Sequence, residues 1–162
     1  SYTYSGKRIE PAVIVLDSSQ NQLRSTDYTV SYAKGQKKVG NYTVTITFQG
    51  NYSGTVQKTF TISPKATNIT RLTSAKKKIT VSWKKQTAQT SGYQIQYATS
   101  AKFKNAKKVT ISKNKISRKS IKKLKSKKKY YVRIRTYKTV KANGKAQKIY
   151  SSWSKTRTVK TK

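Results

Sequence analysis

The chain's most constraining feature is a period of two. Apolar residues alternate with polar ones in DYTVSYA (27–33), NYTVTITF (41–48), KKITVSWKK (77–85), GYQIQYAT (92–99) and YYVRIRTY (130–137). Successive side chains of a strand point to opposite faces, so this pattern gives each strand one apolar and one wet face. Strands of that kind pair antiparallel, because parallel sheets are buried on both sides. Hydrophobic residues make up only 33% of the 162. Their arrangement in β-branched and aromatic runs still argues for a folded β-chain rather than disorder.

Further runs complete the reading. AVIVLD (12–17) is an apolar stretch followed by the turn cluster SSQNQ, and GTVQKTFTI (54–62) places Val56, Phe60 and Ile62 inward across a register break. Gly35, Gly40, Gly50 and Gly54 mark turns in this first part. The second part adds NITRLT (68–73), KVTI (108–111), KSIKKL (119–124) and SKTRTVKT (154–161), which with the alternating runs makes seven strands over about a hundred residues, the sandwich signature. The sequence therefore predicts an all-β chain of two tandem antiparallel β-sandwich domains, 1–64 and 65–162, joined at the Pro-containing SPKA (63–66).

Charge divides at the same joint. The chain carries 38 Lys+Arg and 3 Asp+Glu, a formal net charge of +35. Residues 1–64 hold seven of the cations and all three acids, Glu10, Asp17 and Asp27; residues 65–162 hold the other 31 cations and no acid. Asp17 and Asp27 sit where short acids bond local backbone in turns, and Glu10 reads as the partner of a nearby lysine. A Lys–Asn crosslink assisted by a buried acid, with Glu10 and Lys58 as candidates, would reveal itself as an ammonia loss in the intact mass.

This composition excludes most chemistry. Without Cys or His there is no disulfide, thiolate nucleophile or Cys/His metal site, and the second domain lacks any ordinary general base. Its lysines lie in solvated runs, with no sign of the burial that activates an amine. The chain reads as a non-enzyme without cofactor or metal. No apolar run approaches membrane-span length, so membrane insertion is not expected. The opening SYTYSG lacks a Met, which suggests a piece of a longer protein, and the one-sign charge suggests that it is monomeric. Asn-x-Ser/Thr triplets at Asn41, Asn51 and Asn68 read as incidental to Thr-rich strands.

The first segment, through TYSGKRIEPAV, TDYTVSY and GNYTVTITFQGNYSGTVQKTFTI, resembles the short immunoglobulin-like repeats of bacterial surface proteins. That resemblance implies a spacer with no defined ligand. The second, through Trp83, Tyr93, Tyr97 and LKSKKKYYVRIR (124–135), resembles a fibronectin type III domain. In that family a Leu precedes a Tyr by six places and the Tyr hydroxyl bonds back across the turn. Leu124 and Tyr130 have this spacing, which makes Tyr130 the candidate tyrosine corner. Together the two resemblances imply a secreted, extracellular, cell-surface or cell-wall protein of a Gram-positive bacterium.

Two candidate sites remain. In YYVRIRTY, Val132 and Ile134 face the core, so Arg133 and Arg135 face out, flanked by Tyr131 and Tyr137, and YSSWS (150–154) brings Tyr150 and Trp153 beside them. YSSWS resembles the WSxWS motif of cytokine-receptor fibronectin domains, where arginines and tryptophans interleave as a structural ladder. The other reading of the same group is an aromatic platform for a sugar ring. The lysines are the second candidate. The run Lys122, Lys123, Lys125, Lys127, Lys128 and Lys129 either keeps an extracellular module soluble or attracts a polyanion, teichoic acid of the cell wall being the nearest in a Gram-positive setting. A one-sign surface exceeds what solubility asks for. Lysines outnumber arginines 31 to 7 and no groove-fitting motif appears, so only non-specific nucleic-acid binding at low salt is expected. The competing function is an adhesin fragment that binds a host protein or glycan.

Overall fold

A computed structural model of the chain describes residues 1–142 and 144–162. It separates into two compact units, Ser1–Ile62 and Ser63–Lys162. Both are all-β and built largely from antiparallel strand pairs.

The first unit has one four-stranded sheet built from β1 (Tyr2–Thr3), β2 (Tyr28–Tyr32), β3 (Gly40–Phe48) and β4 (Thr55–Ser63), in the order β1-β4-β3-β2. The register of β3 against β4 is unbroken, from Gly40 opposite Ile62 to Thr47 opposite Thr55. The expected break in GTVQKTFTI is therefore absent. Lys58 shares a face with Val56, Phe60 and Ile62, and its exposed ammonium is what interrupted the apolar pattern.

AVIVLD is not a strand of the sheet. It folds back on itself at Asp17, whose Oδ1 accepts the backbone N–H of Ser19 and Asn21 at 2.8 and 2.9 Å. Leu23 N–H then bonds Val15 O at 2.9 Å, leaving only an isolated bridge between Leu16 and Gln22. Val13, Ile14, Val15 and Leu16 line a shallow groove with Ile46, Phe48 and Val56, Ile14 and Leu16 being the more exposed of the four. A run of β-formers makes a strand only where a neighbour supplies a ladder. Here the segment serves as an irregular cover over one face of the sheet. Tyr32 ties it down by donating its hydroxyl proton to Pro11 O.

The second unit packs two sheets face to face. One holds β5 (Ile69–Ala75), β6 (Lys78–Trp83) and β9 (Arg118–Ile121). The other holds β7 (Gly92–Ala98), β8 (Lys107–Ile111), β10 (Lys129–Ala142), β11 (Lys145–Tyr150) and β12 (Arg157–Lys160). Between them lie Ile69, Ile79, Val81, Trp83 and Ile121 from the first sheet and Tyr93, Ile95, Ile111, Tyr130, Val132 and Ile134 from the second. Fully buried aliphatics such as Val132 and Ile134 contribute ~1.5–3 kcal/mol each, so this interior is the main support of the unit. Trp83 and Tyr93 meet across the two sheets with ring centroids 5.2 Å apart.

The last part of this unit departs from the seven-strand expectation. β10 runs to Ala142 and turns into β11, and the final strand, expected over 154–161, covers only Arg157–Lys160. β11 pairs with the far half of β10 and β12 with the near half, so residues 151–156 cross between them without strand pairing.

Candidate functional site

The crossing segment explains how the ladder is held. Ser151 N–H bonds Thr136 O at 3.1 Å, and Ser154 N–H bonds Ile134 O at 2.8 Å. The return bonds come from side chains: Ile134 N–H donates to Ser154 Oγ at 3.1 Å, and Thr136 N–H to Ser151 Oγ at 3.0 Å. Each serine hydroxyl thus replaces a carbonyl that an ordinary strand would present. Each passes its own proton on, Ser151 to Ser152 O and Ser154 to Lys155 O. Three residues of this segment advance against two of β10. Tyr150 and Trp153, three apart, therefore meet Arg135 and Arg133, two apart.

The rings and cations interleave. The Arg133 guanidinium lies 4.0 Å from the Phe103 ring centroid and 4.8 Å from that of Trp153. Arg135 lies 4.3 Å from Trp153 and 3.7 Å from Tyr150. Beyond Tyr150, Lys148 stands 5.0 Å over the Tyr137 ring. The neighbouring strand fixes the guanidinium planes, since Arg133 sits opposite Gln96 and Arg135 opposite Gln94. Arg133 Nε donates to Gln96 Oε1 at 2.7 Å, and Arg135 Nε and Nη2 donate to Gln94 Oε1 at 3.1 and 2.7 Å. Burial lowers both arginine pKa values; Tyr150 opposes that for Arg135, and Arg133 adds to it.

Phe103 was not visible as a member. It sits in the β7–β8 turn at a φ of +55°, outside any alternating run. Tyr137 differs from its expected outward position. It is on the ladder face but only 2% exposed, its hydroxyl directed to Ile111 O at 3.5 Å. Room for it exists because Gly92 lies opposite: a Cβ there would stand 2.9 Å from the Tyr137 hydroxyl and 2.0 Å from Ile111 O. Tyr131 does face out, with Lys129 5.4 Å from its ring.

Of the lysine run, Lys122, Lys123, Lys125, Lys127 and Lys128 occupy the β9–β10 loop and Lys129 begins β10; all six are exposed. The loop is not slack. Leu124 is buried, and its N–H bonds Lys77 O at 3.0 Å. Lys125 N–H donates to the Tyr130 hydroxyl at 3.1 Å. Thr161 accepts Lys128 N–H through Oγ1 at 3.1 Å and returns its own N–H to Lys128 O at 3.0 Å. These bonds gather Lys77, the loop lysines and Lys162 at one end of the unit, with Lys77 N–H bonded to Lys162 O at 3.4 Å.

The acids stay in the first unit and bond locally. Glu10 pairs with Arg8 at 2.6 Å rather than with a lysine, and Asp27 accepts Arg24 N–H at 3.2 Å. Glu10 is 42% exposed and Lys58 is exposed, so neither has the buried setting a crosslink needs. Among the described residues no cluster of three metal-ligating acids exists and no helix could cross a membrane.

Residues 63–152 match the family model of the fibronectin type III domain, and residues 2–63 that of the bacterial Ig-like domain, group 3. No curated protein matches the chain. Among solved structures, the crystal structure of chicken CNTN1 FN1-FN3 domains is similar over 76% of this chain, at 20% identity and a TM-score of 0.47. The chain spans 43% of that one.

Proposed function

The chain belongs to the fibronectin type III family, with a bacterial Ig-like domain of group 3 before that domain, and from this premise we propose that it is a non-catalytic spacer and wall-association module of a Gram-positive surface or secreted protein. Both domain types are typical of extracellular or surface proteins and are typically non-catalytic. The observation that carries the reading is charge: the second unit holds no acid at all against its lysines and arginines. Both side-chain ion pairs among the described residues lie in the first unit. The cationic surface of the second is therefore balanced by nothing of its own. A field of one sign reaches about a Debye length, ~8 Å at physiological salt, and draws in a polymer of opposite charge. The wall's phosphate-bearing teichoic acid is the matching partner.

Retention on purified cell walls, with and without the phosphate polymer, tests this. Retention should need the polymer, fall as salt rises, and drop when Lys122, Lys123, Lys125, Lys127, Lys128 and Lys129 are replaced by Gln. Equal retention on stripped walls, or none at physiological salt, ends the proposal. Salt-resistant binding to a host protein or glycan instead would make the chain an adhesin fragment.

A further inference from the structure

One place on the second unit has more than charge. The β9–β10 loop closes over the end of β7 and the start of β8, leaving a cleft of about 350 Å³ lined by Tyr97, Lys107, Lys122, Lys123, Lys125 and Tyr130. That is within the range of small-ligand pockets, about 300–1,000 Å³. Four lysines line the cleft, and the unit has no acid to pair with any of them.

The hydroxyls point to the same kind of ligand. Tyr130 Oη already accepts Lys125 N–H, so it has its proton to give. Among the described residues neither Tyr130 nor Tyr97 has an acceptor for that proton within hydrogen-bond distance. The two rings stand 6.3 Å apart, and both residues line the cleft. Burial, with Tyr130 alongside, raises the Tyr97 pKa and keeps it a neutral donor. Thr99 and Asn105 complete the polar lining, and a site with several donors, four lysines and no acid fits an anion rich in acceptor oxygens.

We propose that this cleft binds a tetrahedral oxyanion, phosphate or sulfate, through Tyr97, Tyr130 and the ammonium groups of Lys107, Lys122, Lys123 and Lys125. This rests on the polyanion reading above and names the place where one group of the polymer is gripped. A second hollow, lined by Lys77, Lys123, Lys125 and Ser126, adjoins it and shares Lys123 and Lys125. Two hollows with common lysines suit a chain of repeated anionic groups better than one free ion.

The test is an amide and side-chain NMR titration with inorganic phosphate and with sulfate, each against chloride at equal ionic strength. Saturable shifts confined to Tyr97, Lys107 and residues 122–125 are expected with at least one of the two oxyanions. Tyr97→Phe keeps the ring and removes one donor, and should weaken binding about three- to tenfold, the worth of one hydrogen bond. Lys107→Gln, on an exposed strand position, should weaken it as well with no loss of fold. Shifts that never saturate and spread over all surface lysines, or an unchanged affinity in Tyr97→Phe, overturn the site. Saturable binding by a chain that walls do not retain removes the wall reading and keeps the cleft. Retention that survives Tyr97→Phe in full, with no saturable oxyanion shift, keeps the wall reading and removes the cleft.

Discussion

The Arg135 guanidinium lies 3.7 Å from the centroid of the Tyr150 ring, and Gln94 on the next strand holds it there by two hydrogen bonds. The cation is therefore locked in plane before any ligand arrives, as is Arg133 by Gln96. A platform for a sugar would leave its aromatic faces open. Here both arginines use the Trp153 ring. Each such contact is worth ~0.5–1 kcal/mol at an exposed site and more when desolvated. Trp153→Ala should cost ~2–3 kcal/mol, the two contacts plus lost packing of a half-buried ring. Urea unfolding followed by Trp83 fluorescence reads this. An unchanged midpoint together with lost glycan binding would turn the ladder into a platform.

The two serines of the crossing segment carry a separate expectation. Ser151 and Ser154 are buried and accept the N–H groups of Thr136 and Ile134, which are wholly buried themselves. Removing either hydroxyl orphans a buried donor, at ~1–3 kcal/mol. Ser154→Ala and Ser151→Ala should each lower stability by that amount, while Ser152→Ala, at an exposed position, should not. Amide exchange at Ile134 and Thr136 should quicken in the matching variant. Equal stability of all three would show that the hydroxyls contribute nothing net.

What could be read in advance follows from how directly each residue obeys the strand period. Val132 and Ile134 alternate with Arg133 and Arg135, so the faces were legible, and the likeness of YSSWS to the WSxWS motif pointed to Tyr150 and Trp153 as ring partners. Phe103 reaches the same ladder from a left-handed turn position, which no periodicity reports. Gln94 and Gln96 were visible as outward residues of GYQIQYAT, but their partners depend on cross-strand register, a long-range property. KAQKIY hid β11 because most of its residues are exposed and only Ile149 is buried. AVIVLD shows the opposite, being rich in β-formers yet without a sheet strand to pair with. The cleft proposed to take an oxyanion needed the fold, since only the β9–β10 loop brings Lys122, Lys123 and Lys125 to the same cleft as Tyr97 and Lys107.

Gly92 illustrates a constraint of space rather than of backbone angle. An added Cβ would stand 2.0 Å from Ile111 O, a backbone atom that cannot swing aside, and 2.9 Å from the Tyr137 hydroxyl. Relief requires parting β7 from β8 or expelling Tyr137. Gly92→Ala should therefore destabilise the second unit by ~3 kcal/mol or more, the upper part of the range for overpacking. Both tryptophans of the chain lie in this unit, so their fluorescence follows its unfolding. A variant as stable as the parent would mean that Gly92 is not closely packed.

A half-buried phenol makes stability depend on alkaline pH. Desolvation raises the Tyr97 pKa above its ordinary 10.0, with Tyr130 adding to the effect. The folded chain then keeps the Tyr97 proton after the unfolded chain has begun to lose it. Stability from this source is intact below pH 10 and is lost as pH rises through the folded value, because there the unfolded state binds fewer protons. Tyr97→Phe removes that linkage and leaves every other titrating group in place. The difference in unfolding free energy between parent and variant should thus be constant up to about pH 9 and then shift in favour of the variant as pH rises further. Tryptophan-detected urea unfolding at a series of pH values from 8 to 11 would measure it, to be rejected if the two profiles stay parallel throughout.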